Sequence, residues 1–226
     1  MESPVRTDHQ YRDAIRDDPD FRLIETFGYH PGQGIARLDL HLARMQRSAA
    51  ALGIVFDPSA ARAALEPVRG ADRLRCRLTL SASGGFDLTL AAFPVPISVM
   101  RFKIADTVLD SQDVWLQHKT TRRALYDQAR AELPAGVEEL VFVNERAELC
   151  EGTITNLVLT TPEGDRLTPP LHSGCLPGVF RQSLLESGWV REAVLHPDDL
   201  RAAAHLELTN SLRGATSAQW LASARS

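Results

Sequence analysis

Two alternating segments joined by a short turn constrain the fold of this chain more than any other feature. From Arg73 the sequence reads RLRCRLTL, then SASGG, then FDLTLAAF. Alternation of apolar and polar residues predicts a strand with one buried face, and two such runs around a glycine-containing turn predict a β-hairpin. The first half of the chain is therefore expected to contain an antiparallel sheet.

The rest of the chain mixes helical and extended patterns. A helix is expected over Leu38 to Leu52, because apolar residues recur there at steps of three and four and Gly53 follows as a stop. The other expected helices are a short one in the acidic opening segment, one after Asp57, and those at 120–133, 177–187 and 197–204. The expected strands or extended segments are 21–30, 97–109, 139–144, 153–160, a short one near Leu167, 189–196 and 205–210.

These elements predict an α+β fold with two lobes. Hairpins dominate the first half, which favours a mainly antiparallel sheet, whereas strands and helices alternate in the second half, which favours a mixed sheet or barrel. The break falls between Leu109 and Lys119. We therefore expect an N-terminal lobe at 1–112 and a C-terminal lobe at 113–226.

Composition excludes several classes of protein. The chain has 226 residues, 44% of them apolar, and a net charge of −4, so it lacks the basic excess that nucleic-acid binding needs. The longest apolar-rich run, Leu88 to Met100, contains two prolines and is too short to span a membrane. The first twenty residues lack the apolar region of a secretory signal. Three widely spaced cysteines favour a reduced, cytoplasmic protein.

Several familiar motifs fail on inspection. Gly32-x-Gly34 follows a strand and precedes a helix, but Arg37 stands where a dinucleotide fingerprint needs its third glycine. The histidines are scattered singly, so no metal site is predicted. Cys150 has no identifiable base nearby in the sequence, and a small buried residue is the better interpretation.

Four polar features remain, and each alone has an ordinary explanation. A single lysine before a helix is usually solvated, a Glu-Gly-Thr is usually a turn, a Leu-Pro-Gly helix start is usually a cap, and a strand that runs into Asn-Ser is usually a loop. The four features are Lys119 within HKTTRRALYDQAR, Glu151 to Asn156 (EGTITN), Cys175 to Arg181 (CLPGVFR) and Leu208 to Gly214 (LTNSLRG).

Taken together and in this order, the features resemble the fold-type IV pyridoxal-phosphate enzymes. These form the class IV aminotransferase family, which includes branched-chain and D-amino-acid aminotransferases and 4-amino-4-deoxychorismate lyase. The resemblance extends from about Phe21 to Gly214 and includes a His-x-x-Arg element, His41 to Arg44, in the N-terminal segment. It implies a two-lobed fold, pyridoxal 5'-phosphate as cofactor, a small-molecule substrate and a homodimer.

The resemblance also assigns cofactor-binding roles. Lys119 matches the lysine that forms a Schiff base with the cofactor and moves protons. Glu151 matches the carboxylate that keeps the pyridine nitrogen protonated, and Asn156 is expected to orient the Glu151 loop. The remaining matches concern the phosphate group, and they are Arg44, the backbone N–H groups of Val179 and Phe180, and Ser211.

Substrate binding is less well defined by the resemblance. A substrate carboxylate needs a cation, and Arg75 and Arg77 lie two apart on one face of an expected strand, with Arg213 as a third candidate. Arg77 is preferred, because the family places a substrate arginine near this strand. Tyr29 and Tyr126 are candidate active-site aromatics, and a role in the core is at least as good an interpretation for both.

The specific reaction is expected to be that of aminodeoxychorismate lyase, which forms 4-aminobenzoate and pyruvate in folate biosynthesis. Ala124 stands where branched-chain aminotransferases carry a tyrosine, and LTNSLRG is more similar to the lyases. An amino-acid aminotransferase of branched-chain or D-amino-acid type is the alternative, and a non-catalytic relative is a distant one. The chain is short for the family, and an acidic segment replaces the usual N-terminal hairpin, which affects the expected substrate pocket.

Overall fold

The structure, a computed structural model, describes residue 15 and residues 18–222. The helix expected in the acidic opening segment therefore falls largely outside the described residues. The chain forms two compact units. Unit 1 contains the residues up to Pro94 together with Lys119–Arg122, and unit 2 contains Val95–His118 together with the residues from Arg123 onward.

Unit 1 is built on a four-stranded antiparallel sheet in the order β2-β1-β3-β4. Its two central strands pair over eight residues, and β3 and β4 form the hairpin that the alternating segments predict. The prediction of an antiparallel N-terminal sheet is confirmed. The strands are β1 (Arg22–His30), β2 (Gly34–Ile35), β3 (Leu74–Ser81) and β4 (Phe86–Ala92).

Two helices accompany this sheet, α1 (Leu38–Leu52) and α2 (Pro58–Ala63). The apolar stripe of α1 is buried, as its spacing predicts, and the helix ends at Gly53 in the left-handed conformation that glycine adopts without strain. Asp57 caps α2 by accepting two backbone N–H bonds at its first turn, and proline occupies the first helical position.

The segment around Lys119 is extended and pairs with β1. The N–H of Ile24 donates to the carbonyl of Lys119 at 2.8 Å, and the N–H of Thr121 donates to the carbonyl of Arg22 at 2.9 Å. The helix expected from residue 120 therefore begins later, as α3 (Ala124–Ala131). Because of these backbone bonds, Lys119–Arg122 belongs to unit 1, although the preceding segment Val95–His118 belongs to unit 2.

Unit 2 is built on an eight-stranded mixed sheet in the order β10-β9-β8-β11-β12-β5-β6-β7. A further pairing of β7 with β8 closes six of these strands into a barrel, which confirms the expected mixed sheet or barrel. The strands are β5 (Val99–Leu109), β6 (Glu139–Asn144), β7 (Leu149–Gly152), β8 (Asn156–Thr160), β9 (Arg166–Thr168), β10 (Arg191–Glu192), β11 (His205–Asn210) and β12 (Gly214–Trp220).

Helices and an apolar core complete unit 2. The helices are α3, α4 (Val179–Glu186) and α5 (Pro197–Ala202), with short 3₁₀ turns at Val114–Gln117 and Leu171–Ser173. The core is made of inward-facing side chains from most barrel strands, among them Phe102, Val141, Leu149, Leu157 and Leu208. No helix among the described residues has the length and apolar character needed to cross a membrane.

Several expectations need correction. The predicted strand at 153–160 is a turn at 153–155 followed by β8, and the prediction does not include β12. The extended run expected at 189–196 pairs only at Arg191–Glu192, and the helix expected from Pro177 begins at Val179. Val99–Leu109 was placed in the N-terminal lobe, but it pairs with β6 and β12. The two units therefore do not divide at the expected boundary of 112/113, because Val95–His118 belongs to unit 2.

Candidate active site

The Glu151 to Asn156 motif is a tight turn that connects β7 to β8. Glu151 pairs with Asn156 across the two strands, and the N–H of Gly152 donates to the carbonyl of Thr155 at 2.8 Å. A Cβ on Gly152 would overlap the Thr155 hydroxyl and crowd the side chain of Glu139. The glycine is therefore required by the close approach of buried polar groups.

Glu139 binds the residues of this turn through its carboxylate. Glu139 is not among the site residues predicted from the sequence. Its carboxylate is fully buried and accepts hydrogen bonds from the N–H and hydroxyl of Thr153, from the N–H of Ile154 at 3.3 Å and from the hydroxyl of Thr155 at 3.1 Å. The available signal was an acid directly before the apolar run LVFV of the strand ELVFVN. These bonds explain why the threonines form a turn instead of continuing a strand.

The Glu151 carboxylate is buried, with 6% of the residue exposed, and both of its oxygens accept hydrogen bonds. The hydroxyl of Tyr126 lies 2.8 Å from Oε1, and the backbone N–H of Leu176 lies 3.0 Å from Oε2. Donors of this kind favour the ionised form of a carboxylate. The residue predicted to face a pyridine nitrogen is thus fixed in place from two directions.

Asn156 binds the backbone carbonyl of Leu176, the residue whose N–H binds Glu151. Its side-chain amide donates to the Leu176 carbonyl at 3.0 Å, while the Leu176 N–H binds Glu151. A Cβ on Gly178 would overlap the Asn156 side chain, which explains the glycine of Leu-Pro-Gly. Asn156 thus holds the backbone that holds Glu151, which is the geometry that its expected orienting role requires.

The start of α4 provides backbone donors in unit 2. Gly178 is the N-cap, no side chain caps the helix, and Val179 and Phe180 are its first two residues. Backbone N–H groups at a helix start carry partial positive charge and bind phosphate well. Ser211 lies in the turn between β11 and β12, where Asn210 accepts the backbone N–H of Arg213 at 2.8 Å.

Unit 1 contains a buried cluster of Glu25, His41 and Arg44. Arg44 donates to both Glu25 oxygens, from Nε at 2.8 Å and from Nη2 at 2.6 Å, and His41 Nδ1 lies 2.5 Å from Oε2. Two of the five N–H groups of the guanidinium are used in this way. The predicted phosphate-binding arginine is thus oriented by Glu25, an acid between Leu23 and Phe27 that sequence reasoning passed over.

The charges in this cluster follow from its burial. Burial opposes ionisation of Glu25, but Arg44 and His41 outweigh it and lower the pKa of Glu25 to about 2. Burial lowers the pKa of His41 against the pull of Glu25, and the positive charges of Arg44 and Lys119 add to this. His41 is therefore neutral at pH 7, and Lys119 lies close enough to act on it electrostatically.

The predicted substrate residues are divided between the two units. Arg77 lies opposite Thr26 on one face of the unit 1 sheet, with Arg75 two residues away on the same face. Tyr29 lies on the other face, and its hydroxyl donates to the carbonyl of Gly70 at 3.1 Å. In unit 2, Arg213 donates to the Val95 carbonyl at 3.2 Å.

Cys150 is a buried thiol that donates to the carbonyl of Ser173 at 3.0 Å. Burial raises the pKa of this thiol far above its usual value, and the nearby Cys175 raises it further. Only the thiolate is nucleophilic. The interpretation of Cys150 as a small buried residue is confirmed.

We expect Glu25→Gln to destabilise the protein by about 3 kcal/mol at pH 7, because it leaves the charge of Arg44 buried without its anion. The pKa of Glu25 lies below its ordinary 4.5, so its contribution is complete above pH 4.5 and is lost as the pH falls towards 2. Urea unfolding of both proteins across this range measures the difference. Asp39→Asn is the control, because its pair with Arg62 is exposed. Equal stability of Glu25→Gln and wild type at pH 7 would show that Glu25 does not offset the buried charge of Arg44.

We expect Gly152→Ala to cost about 2 kcal/mol of unfolding free energy, because the added methyl meets buried groups that cannot move away. Gly85→Ala is the matched control, since its methyl would meet only the Ser81 hydroxyl on an exposed turn. Denaturant unfolding of both variants is the measurement. Equal losses of unfolding free energy in the two variants would show that the contacts of a methyl group at position 152 do not destabilise the protein.

Known proteins share sequence with this chain. A family model described as "Amino-transferase class IV" matches residues 22–219. A Schizosaccharomyces pombe protein named "Putative aminodeoxychorismate lyase" is 30% identical over 190 residues, which cover 78% of this chain and 80% of that protein.

Solved structures share the fold. A Mesorhizobium loti protein, titled a "Putative amino-acid aminotransferase", is 41% identical with a TM-score of 0.83 and covers 89% of this chain and 100% of that one. The 4-amino-4-deoxychorismate lyase of Pseudomonas aeruginosa has a TM-score of 0.75 at 23% identity, over 88% of this chain and 82% of that one. With the family model matching most of its length, the chain belongs to the class IV aminotransferases, a family of enzymes.

Proposed function

We propose that this protein is a pyridoxal-phosphate-dependent enzyme that acts on an amino-bearing carboxylate through Lys119, and that it is a 4-amino-4-deoxychorismate lyase. One observation supports the cofactor most directly. Glu151 is a buried carboxylate with a hydrogen-bond donor at each oxygen. An ionised carboxylate of this kind is what keeps a pyridine nitrogen protonated.

The two units contain the chemical groups that pyridoxal phosphate needs. An aldehyde needs an amine, which Lys119 supplies, and a ring nitrogen needs an acid, which Glu151 supplies. A phosphate dianion needs backbone donors and a cation, which the uncapped start of α4 and Arg44 supply. The glycine at position 178 leaves that helix start without a side chain of its own.

When bound, pyridoxal phosphate supplies an electron sink beside the carbon that carries the substrate amine. Lys119 carries a proton to or from that carbon, and its backbone is fixed by the hydrogen bond from Ile24. Glu151 holds a proton at the ring nitrogen. Arg44, oriented by Glu25, is the cation proposed for the phosphate, and the N–H groups at the start of α4 are its proposed backbone donors.

The lyase reaction is supported by the Schizosaccharomyces pombe relative and by two local features. Ala124 begins α3 where branched-chain aminotransferases carry a tyrosine, and the turn after β11 has the lyase-like sequence LTNSLRG. The Mesorhizobium loti protein favours the second candidate, an amino-acid aminotransferase that transfers an amino group to a 2-keto acid. Both reactions use the same lysine and carboxylate.

The sequence contains only two lysines, Lys103 and Lys119, which makes the cofactor test sharp. We expect the purified protein to form a visible absorption band with pyridoxal phosphate, because its amine condenses with the aldehyde. Borohydride should abolish the band and leave the label on Lys119 in a peptide map. Lys119→Ala should lose the band and all activity, whereas Lys103→Ala should keep both. A label on Lys103 alone, or no band, would refute the proposal.

A product assay separates the two reactions. We expect 4-aminobenzoate and pyruvate to form in equal amounts from 4-amino-4-deoxychorismate, because the lyase eliminates pyruvate and leaves an aromatic ring. Chromatography with an absorbance detector measures both products, and Lys119→Ala is the control for spontaneous breakdown. Absence of 4-aminobenzoate, combined with keto acid formed from a panel of amino acids, would establish the aminotransferase instead.

A further inference from the structure

Tyr126 lies on α3, and its side chain approaches the carboxylate of Glu151. Its hydroxyl lies 2.8 Å from Oε1, opposite the oxygen that accepts the Leu176 N–H. The ring packs edge-on against Phe142, with centroids 5.4 Å apart, and the guanidinium of Arg123 lies 6.0 Å from its centroid. The aromatic contacts fix the ring, so the direction of the hydroxyl is set before any ligand binds.

We propose that Tyr126 is a positioning residue for Glu151: its hydroxyl fixes the plane of the carboxylate and stabilises its ionised form. The consequence for the cofactor rests on the role proposed above for Glu151. The bond itself does not, because both residues belong to unit 2 and their contact is part of its fold.

The direction of the hydrogen bond follows from the charges. Burial raises the pKa of Tyr126 far above its usual value, and the negative charge of Glu151 raises it further. The phenol therefore stays protonated over the working pH range, and an ionised carboxylate only accepts. Tyr126 is the donor and Glu151 the acceptor. This hydrogen bond is stronger when the carboxylate is ionised, so removal of the hydroxyl disfavours the ionised form of Glu151.

Other titratable groups around Glu151 do not obscure its titration. Cys150 lies beside it on β7 and Cys175 lies in the loop before α4, and both interact electrostatically with its carboxylate. Burial raises the pKa of the Cys175 thiol to about 12, and that of Cys150 is raised as well. Arg123, beside Tyr126, keeps its charge. Neither thiol therefore changes charge in the acid range in which a carboxylate titrates.

Tyr126→Phe tests the proposal because it keeps the ring and removes only the hydroxyl. Carboxyl carbon NMR of the full chain, labelled at glutamate and without added cofactor, reports the pKa of Glu151, and Glu151→Gln identifies its signal. We expect the pKa of Glu151 to rise by about one unit, the equivalent of one charge-assisted hydrogen bond. Tyr29→Phe is the matched control, since its hydroxyl bonds a backbone carbonyl in unit 1, and it should leave this pKa unchanged.

The cofactor-bound enzyme gives a second readout. In Tyr126→Phe we expect about ten-fold weaker binding of pyridoxal phosphate and a lower kcat with little change in KM, because the substrate contacts remain. An unchanged pKa of Glu151 overturns the inference even if the melting temperature falls, since Tyr126 would then only pack. Failure of the wild-type protein to bind the cofactor would refute the proposed function, and the carboxyl titration would still decide the role of Tyr126.

Discussion

The pairing of Glu151 with Asn156 closes the barrel of unit 2, and the candidate site is built on that closure. The other junctions of the ring pair at two or more register positions, whereas β7 meets β8 at this one register pair. Side chains supply the missing support: Glu139 binds the turn and Asn156 binds the loop before α4. The groups that complete the fold thus include the groups proposed to bind the cofactor.

Two buried acids orient functional groups by different means. Glu25 faces a cation, and its partner Arg44 is held in a bidentate pair. Glu139 is bound mainly by neutral donors, from backbone N–H groups and threonine hydroxyls, with Arg130 farther away at 3.6 Å. Burying a charge is costly unless it is fully bonded, so each acid imposes a specific arrangement on its neighbours. In unit 1 that arrangement fixes an arginine, and in unit 2 it fixes the turn after Glu151.

The sequence predicted what depends on local pattern. The bounds of α1 follow from its apolar spacing and Gly53, and the hairpin follows from alternation. It did not predict the turn at 153–155, because threonine and isoleucine favour strands and only the distant Glu139 binds their polar groups. It also missed β12 (GATSAQW), whose small residues give a weak pattern and whose parallel partner β5 lies over a hundred residues earlier.

Most predicted site residues therefore come from motifs, whereas their supports come from contacts between distant segments. Lys119 illustrates the difference. The segments before Lys119 and after Arg122 belong to unit 2, yet the carbonyl of Lys119 is bonded to Ile24 in β1, the strand that also carries Glu25. One strand thus fixes the backbone of Lys119, the lysine proposed to bind the cofactor, and, through Glu25, the side chain of Arg44. A change that shifts β1 is expected to alter both groups together, so their effects on cofactor binding should not be additive.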